Sequence, residues 1–448
     1  MIPADPVPLL IVTCLGVALV VVLITWVRMP AFLALVAGSL SVGLAARMPL
    51  ADIPRAFQQG VGDTLGFVAM VIGLGTLIGK LLAESGGAVV VSRALVKGLG
   101  ERRLDWAVMF SAFIIGLPVF FQVGLVLLAP VLFTLSRQTG TPLLRLGIPL
   151  LAGLSVAHGL VPPHPGPLAA IERLGADPGR TLFYSLVVGL PIAIVAGPLF
   201  GRFISARIRV DGGAMADQIS GSGTVPHPPS LVVTLITILL PVLLMLLAAV
   251  AQATIPGTTA GRWIGFAGSP LVAMLLATLL ALNTFGRACG FDRARLLRFA
   301  EESLPPIASV LLVVGAGGGF GRVLDTAGAD TAIAQILGGL QLSPLVLGWV
   351  VAALLRLSVG SATVACVTTA SIVAPIVSAM PDVNKDLMVV AIGAGSLIAS
   401  HVNDGGFWLV KEYFNMSVPQ TLATWTVMET IIAVAGLAGV LLLGLIVG

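Results

Sequence analysis

Apolar runs of about 20 residues, parted by short polar or helix-breaking stretches, organise this chain from end to end. They predict membrane spans near 7–27, 30–48, 62–83, 143–161 and 180–203. A second set falls near 231–251, 265–284, 304–325, 386–402 and 420–447. Two longer apolar stretches are broken at their centres, 105–136 around Gly116-Leu117-Pro118 and 345–379 around Gly360-Ser361. Each reads either as two crossings or as a re-entrant hairpin. The hairpin is preferred, because unwound backbone at membrane depth is tolerated only where it lines a cavity.

Composition agrees with that pattern: 57% of residues are hydrophobic and 10% charged, where soluble proteins carry roughly a quarter charged. The chain reads as an all-α polytopic membrane protein whose surroundings are the lipid bilayer. Its first apolar run has neither a preceding basic residue nor a small-residue cleavage pattern, so it reads as a span and not a signal peptide. Cys14, Cys289 and Cys366 are too scattered for a disulfide framework or a metal site. No cofactor pattern appears either. The net charge of +4 fits cytoplasmic loop bias better than nucleic-acid binding.

The two halves match at a displacement of about 240 positions. Gly73-Leu-Gly-Thr-Leu-Ile-Gly79-Lys80 aligns with Gly315-Ala-Gly-Gly-Gly-Phe-Gly321-Arg322, and His158 falls opposite His401. The expected organisation is a first repeat at 1–204, a cytoplasmic linker at 205–230 and a second repeat at 231–448. The first repeat holds the hairpin near 105–136 and a broken helix near 143–172; the second holds those near 345–379 and 386–412. About five crossings plus one hairpin per repeat would invert the second relative to the first. With both termini outside, Arg93, Lys97, Arg102, Arg103 and Arg137 fall inside with most other basic residues, as positive-inside bias requires. His227 reads as a solvated linker residue.

Polar groups beside apolar spans are costly and so mark candidate sites. The first break contains Pro118, Phe120, Phe121 and Gln122. A half-helix starting there would offer free backbone N–H groups and a positive dipole end to a carboxylate. An ordinary Pro kink is the plainer alternative. The second break offers Arg356, Gly360, Ser361 and Thr363; Arg356 suits a planar carboxylate, of the substrate or of a buried acid in the protein. His158 and His164 flank Pro162-Pro163, and His401, Asn403 and Asp404 occupy the matching break. Asp404 reads as an intramembrane acid or as a helix cap. Lys80 with Glu84, and Arg322 with Asp325, read as local structural ion pairs. The glycines of 315–321 read as a close helix-packing surface.

Pro30-Ala-Phe-Leu-Ala-Leu, His158-Gly-Leu-Val-Pro-Pro-His-Pro-Gly-Pro, Gly360-Ser-Ala-Thr-Val-Ala, Ser400-His-Val-Asn-Asp and Trp408-Leu-Val-Lys-Glu-Tyr together resemble the gluconate/proton symporter (gluconate permease) family. The resemblance runs along essentially the whole chain. It implies uptake of gluconate or a related sugar acid with protons across the bacterial inner membrane. It also implies kinship with the wider ion transporter superfamily of elevator-type anion transporters, in which two hairpins meet at the substrate. On that basis the substrate-binding set is Pro118, Phe120, Phe121, Gln122, His158, Pro163, His164, Arg356, Gly360, Ser361, Thr363, His401, Asn403 and Asp404. The family pattern commonly places an acid where this chain has Gln122, and an amide cannot release a proton. If that acid is the family's proton carrier, this chain is either uncoupled there or uses Asp404 or a histidine such as His158 instead.

The expected partners are a small organic anion and protons, with a homodimer as one mode of assembly. A D-serine-type amino-acid permease of the same family is the alternative substrate reading. A membrane enzyme using His158, His164 and Asp404 is disfavoured, since no nucleophile–base pair or metal set is evident.

Overall fold

The computed structural model describes residues 7–210, 227–328, 343–380, 382–401 and 404–447, and all regular structure among them is helical. The first half runs α1 (Val7–Thr25), α2 (Ala31–Ala45), α3 (Asp52–Glu84), α4 (Gly87–Leu99), α5 (Leu104–Gly116), α6 (Phe121–Thr139), α7 (Leu143–Leu160), α8 (Pro165–Leu174), α9 (Pro178–Ile194) and α10 (Phe200–Ser205). The second runs α11 (Leu231–Thr254), α12 (Thr259–Ala267), α13 (Pro270–Ala281), α14 (Arg293–Ser303), α15 (Ala308–Thr326), α16 (Pro344–Val359), α17 (Ala362–Ala379), α18 (Lys385–Gly395), α19 (Gly405–Tyr413), α20 (Val418–Thr421) and α21 (Val427–Val447).

Local chemistry sets the helix ends. Pro165, Pro178, Pro270 and Pro344 open helices where a missing N–H costs nothing. Asp177, Asp292 and Asn384 cap theirs by accepting from Arg180 N (2.7 Å), Arg295 N (2.7 Å) and Leu387 N (3.1 Å). Gly360 closes α16 at φ 78°, a left-handed conformation that glycine takes without penalty.

Seven helices among the described residues are long and apolar enough to cross a membrane. The arms α5 and α16 are apolar but have only 13 and 16 residues, short of the roughly 20 that a full crossing takes. That shortness suits arms that stop inside the protein. In both halves the two arms pack on the broken span that follows: α5 and α6 on α7, α16 and α17 on α18. The helix after each broken span then lies against the opposite half's hairpin, α8 on α17 and α19 on α6.

Backbones approach closely where these layers cross. A Cβ on Gly60 of α3 would sit 2.3 Å from the Gly318 carbonyl oxygen of α15, and one on Gly393 of α18 would sit 2.6 Å from that of Gly159 in α7. Small residues are needed at both crossings. The span formed by α7 and α8 is the most enclosed, with 89% of its most apolar window buried against 22% for 418–447. The proline box therefore lies in the protein interior, while the last span is mostly exposed on the surface of the chain.

Several boundaries differ from the hydropathy reading. The third span begins at Asp52, and the span expected at 265–284 runs Pro270–Cys289, with the short α12 ahead of it. The helix of 386–402 stops at Gly395 and continues as turns. The short α4 and the charged α14 were not foreseen, because neither offers a span-length apolar run. The Arg322–Asp325 pair is also corrected: Asp325 is held by Arg173 of α8, which donates to both carboxylate oxygens at 2.7 Å. Of the expected linker, 211–226 lies outside the described residues, and His227 is exposed.

Candidate functional site

A helix that ends inside a membrane leaves carbonyl oxygens in need of donors. At the first break α5 ends at Gly116, and His164 supplies the donor. Its Nε2 lies 2.7 Å from the Gly116 oxygen; a carbonyl only accepts, so Nε2 carries the proton. His164 is buried at the N-cap of α8, directly after Pro163, so the proline box is latched to the hairpin tip. The His158 and His164 rings are 5.0 Å apart, and the Phe120 ring lies 6.0 Å from each. Nδ1 of His158 is buried without a protein partner among the described residues. Phe120 precedes α6 with no side-chain cap, and Phe121 turns inward against Trp425, 5.2 Å between ring centres.

At the second break Arg356 is itself the donor. It is 3% exposed and donates to the Gly360 carbonyl and to Asp404 Oδ2, the latter at 2.5 Å. Asp404 also accepts from the Ser400 hydroxyl and from Gly406 N (2.8 Å), so it caps α19 and pairs with Arg356 at once. Trp425 Nε1 donates to Ser400 Oγ at 2.7 Å, fixing that hydroxyl. Both sequence alternatives for Asp404 hold together. Of the two partners considered for Arg356, the one in contact is the protein's own acid. Its Nε has no protein partner among the described residues. Ser361 caps α17 by accepting from Val364 N at 3.4 Å. A Cβ on Gly166 would meet the Thr363 Cα at 3.7 Å, so the first turns of α8 and α17 abut. Two positive helix ends thereby converge beside the histidines and Arg356.

Other expected residues fall elsewhere. Gln122 is exposed and lines a cavity of about 620 Å³ with Thr76, Lys80, Glu84 and Glu302, away from the Arg356–Asp404 pair. Phe120 lines this cavity and also a pinched space of about 10 Å³ that it shares with Pro118, Pro163 and His164. Phe120 therefore stands between the open cavity and the proline box. Lys80 does pair with Glu84 (3.1 Å), and it also reaches Glu302 of α14 at 2.9 Å. The Lys80 ammonium holds the exposed Glu302 carboxyl below its usual range. His401 is turned to its own loop, with Nδ1 2.8 Å from the Ala399 oxygen. Asn403 lies outside the described residues.

Sequence reasoning missed Glu429. It is fully buried (0% exposed) near the start of α21, and its Oε1 accepts from Ser155 Oγ of α7 at 2.5 Å. Oε2 has no protein partner among the described residues. A signal was available: Glu429 is the lone charged residue in the apolar stretch 418–447, and an intramembrane acid is a functional candidate by default.

Broken helices, paired and unpaired polar groups enclosed among apolar spans, and an open cavity parted from the proline box by Phe120 define a polytopic membrane transporter. Known proteins agree. A model of the GntP family permeases matches residues 7–446. A gluconate permease of Pseudomonas aeruginosa is 48% identical over 97% of both chains. A high-affinity gluconate transporter of Escherichia coli is 40% identical, covering 98% of this chain and all of that one. An L-idonate transporter of the Gnt-II system of the same organism is also 40% identical, over 96% of this chain and 98% of that one. In fold the chain resembles the YdaH transporter of Alcanivorax borkumensis, with TM-score 0.64, 19% identity, and 88% and 89% of the two chains covered. The chain belongs to the GntP permease family. It is a multi-pass protein of the bacterial inner membrane and not an enzyme.

Proposed function

We propose that this permease imports gluconate or a related sugar acid by proton symport, with the two hairpins moving as part of an elevator-type transport domain. The observation that carries this reading is the buried Arg356, at a hairpin tip where two helix N-termini converge, in a chain 40–48% identical to permeases named for gluconate and L-idonate. A sugar acid needs one cationic anchor for its carboxylate and several donors and acceptors for its hydroxyls. Arg356 Nε, Ser361, Thr363 and His158 Nδ1 are the groups with capacity to spare. Inverted repeats, with both termini outside and the linker in the cytoplasm, would let the same pocket face either side in turn.

The test is uptake of labelled gluconate by proteoliposomes with and without an imposed pH gradient, in competition with L-idonate and D-serine. Gradient-stimulated uptake blocked by the sugar acids is expected. Uptake blocked by D-serine alone would replace the substrate, and indifference to the gradient would remove symport. Cysteines placed in the linker should stay unlabelled by an impermeant thiol reagent in intact cells; strong labelling from outside would reverse the topology.

A further inference from the structure

We propose that Glu429 carries the coupled proton, while Asp404 holds Arg356 in place. The proposal rests on the symport reading above and adds the residue that performs it. The two acids, Glu429 fully buried and Asp404 partly so, differ in their partners. Asp404 accepts from Arg356, from the Ser400 hydroxyl and from Gly406 N. Every one of those bonds is stronger to a carboxylate, so releasing them to bind a proton would dismantle the tip of the second hairpin. Glu429 has one hydroxyl donor, Ser155, and a second oxygen to which no described protein group hydrogen-bonds. That oxygen can take a proton without breaking any bond the structure shows.

Charge arithmetic leads to the same residue. The charged groups bearing on Glu429 are Arg356 and Asp404, one cation and one anion already in contact. On the helices packed against α21, Arg180 of α9 lies 3.1 Å from Asp386 of α18 and 4.0 Å from Asp177, so these groups answer one another and not Glu429. Arg145 of α7 and Arg202 of α10 share Asp105. The remaining titratable groups nearby are His158 and His164 of the proline box. With Glu429 ionised, the Arg356, Asp404 and Glu429 trio carries one net negative charge. A sugar-acid anion adds a second, which a low-dielectric interior resists strongly. If Glu429 takes up a proton as the anion arrives, the total is unchanged. The moving unit then carries the same charge empty and loaded, with one proton per anion. On the cytoplasmic side, water reaching the site accepts the proton from Glu429, the restored carboxylate repels the anion, and the substrate leaves.

An electroneutral cycle of this kind can hold about ten-fold accumulation for each pH unit imposed, since one unit corresponds to a factor of ten. The experiment compares the unmodified chain with Glu429→Gln, Asp404→Asn and His158→Gln in proteoliposomes. It reads gradient-driven gluconate accumulation, gradient-free counterflow, and proton uptake on gluconate addition in weakly buffered detergent. Glu429→Gln should bring accumulation near unity and abolish proton uptake, with counterflow reduced less than about three-fold. Asp404→Asn should lose counterflow and accumulation together. His158→Gln should lower uptake and counterflow alike, since His158 is placed against the substrate, and the uptake that remains should still respond to the gradient. Full accumulation by Glu429→Gln would overturn the proposal, as would loss of gradient response confined to His158→Gln. An unmodified chain that ignores the gradient would instead sink the symport reading itself. Should Glu429→Gln fail to reach the membrane, Ser155→Ala decides: it should shift the pH midpoint of uptake by about half a unit or more, as loss of one hydrogen bond implies. An unmoved midpoint would overturn the proposal.

Discussion

The two hairpins meet the same backbone problem with different chemistry. Each ends a short helix inside the protein and must satisfy its last carbonyls there. The first leaves Gly116 to a neutral donor from another element, His164. The second satisfies Gly360 with Arg356 from its own arm, and that charge brings Asp404 with it. The first tip therefore acts as a latch to the proline box and opens on the cavity through Phe120. The second carries the electrostatics of the site. The two breaks divide the labour: the buried charge, Arg356, sits at the second and none at the first.

Substitutions at both tips and at the cavity rim sharpen that contrast. Arg356→Met should be the most severe, because it leaves the part-buried Asp404, 14% exposed, without its cation; losses approach the roughly 3–5 kcal/mol typical when one partner of a buried pair is removed. Thermal unfolding and counterflow should both collapse, and adding Asp404→Asn should restore stability but not transport. If the double variant transports, Arg356 is not the anchor. At the first hairpin His164→Ala orphans one carbonyl and should cost about 1–3 kcal/mol. His164→Gln, whose amide can donate, should recover part of that in a thermal-shift assay. Equal losses in both variants would mean that packing, not the Gly116 bond, is what His164 supplies. Ser361→Ala removes a cap and should cost about 0.5–2 kcal/mol, along with some gluconate affinity; an unchanged dissociation constant would clear Ser361 of substrate contact.

The smallest effect is expected at the rim of the cavity, where Glu302→Gln breaks a solvent-exposed pair with Lys80. Exposed pairs contribute little, and no change in melting temperature at neutral pH is the expected result. Because the folded-state carboxyl is held below its ordinary value by Lys80, whatever it adds is present above the unfolded-state value. It is lost as pH falls through the folded one. The unmodified protein and the variant should therefore melt most alike in acid. A difference that grows as pH falls would contradict the pairing.

Much of the architecture was legible because lipid imposes a local rule. A span must be apolar over its own length, so the spans, the two central breaks and the proline box all appear in the linear pattern. The glycines of 315–321 were likewise readable as a packing face, and Gly318 does meet Gly60 at backbone distance. Arg356 was visible as a charge out of place, but its partner was not. The short α4 and the charged α14 escaped because hydropathy sees only elements that cross the membrane.

What the chain settled by itself is where the helices run, where they break and which polar groups are stranded at depth. Each of these depends on neighbours in sequence. Which stranded groups meet was decided only by the tertiary packing: Arg173 bonds Asp325 across 152 positions, and Ser155 reaches Glu429 across 274. No local pattern encodes such pairs, since a buried polar group is satisfied by whatever the fold brings within about 3 Å. For that reason Glu429 could be seen in the sequence as a lone charge in an apolar stretch, but that Ser155 is its partner emerged only from the packing.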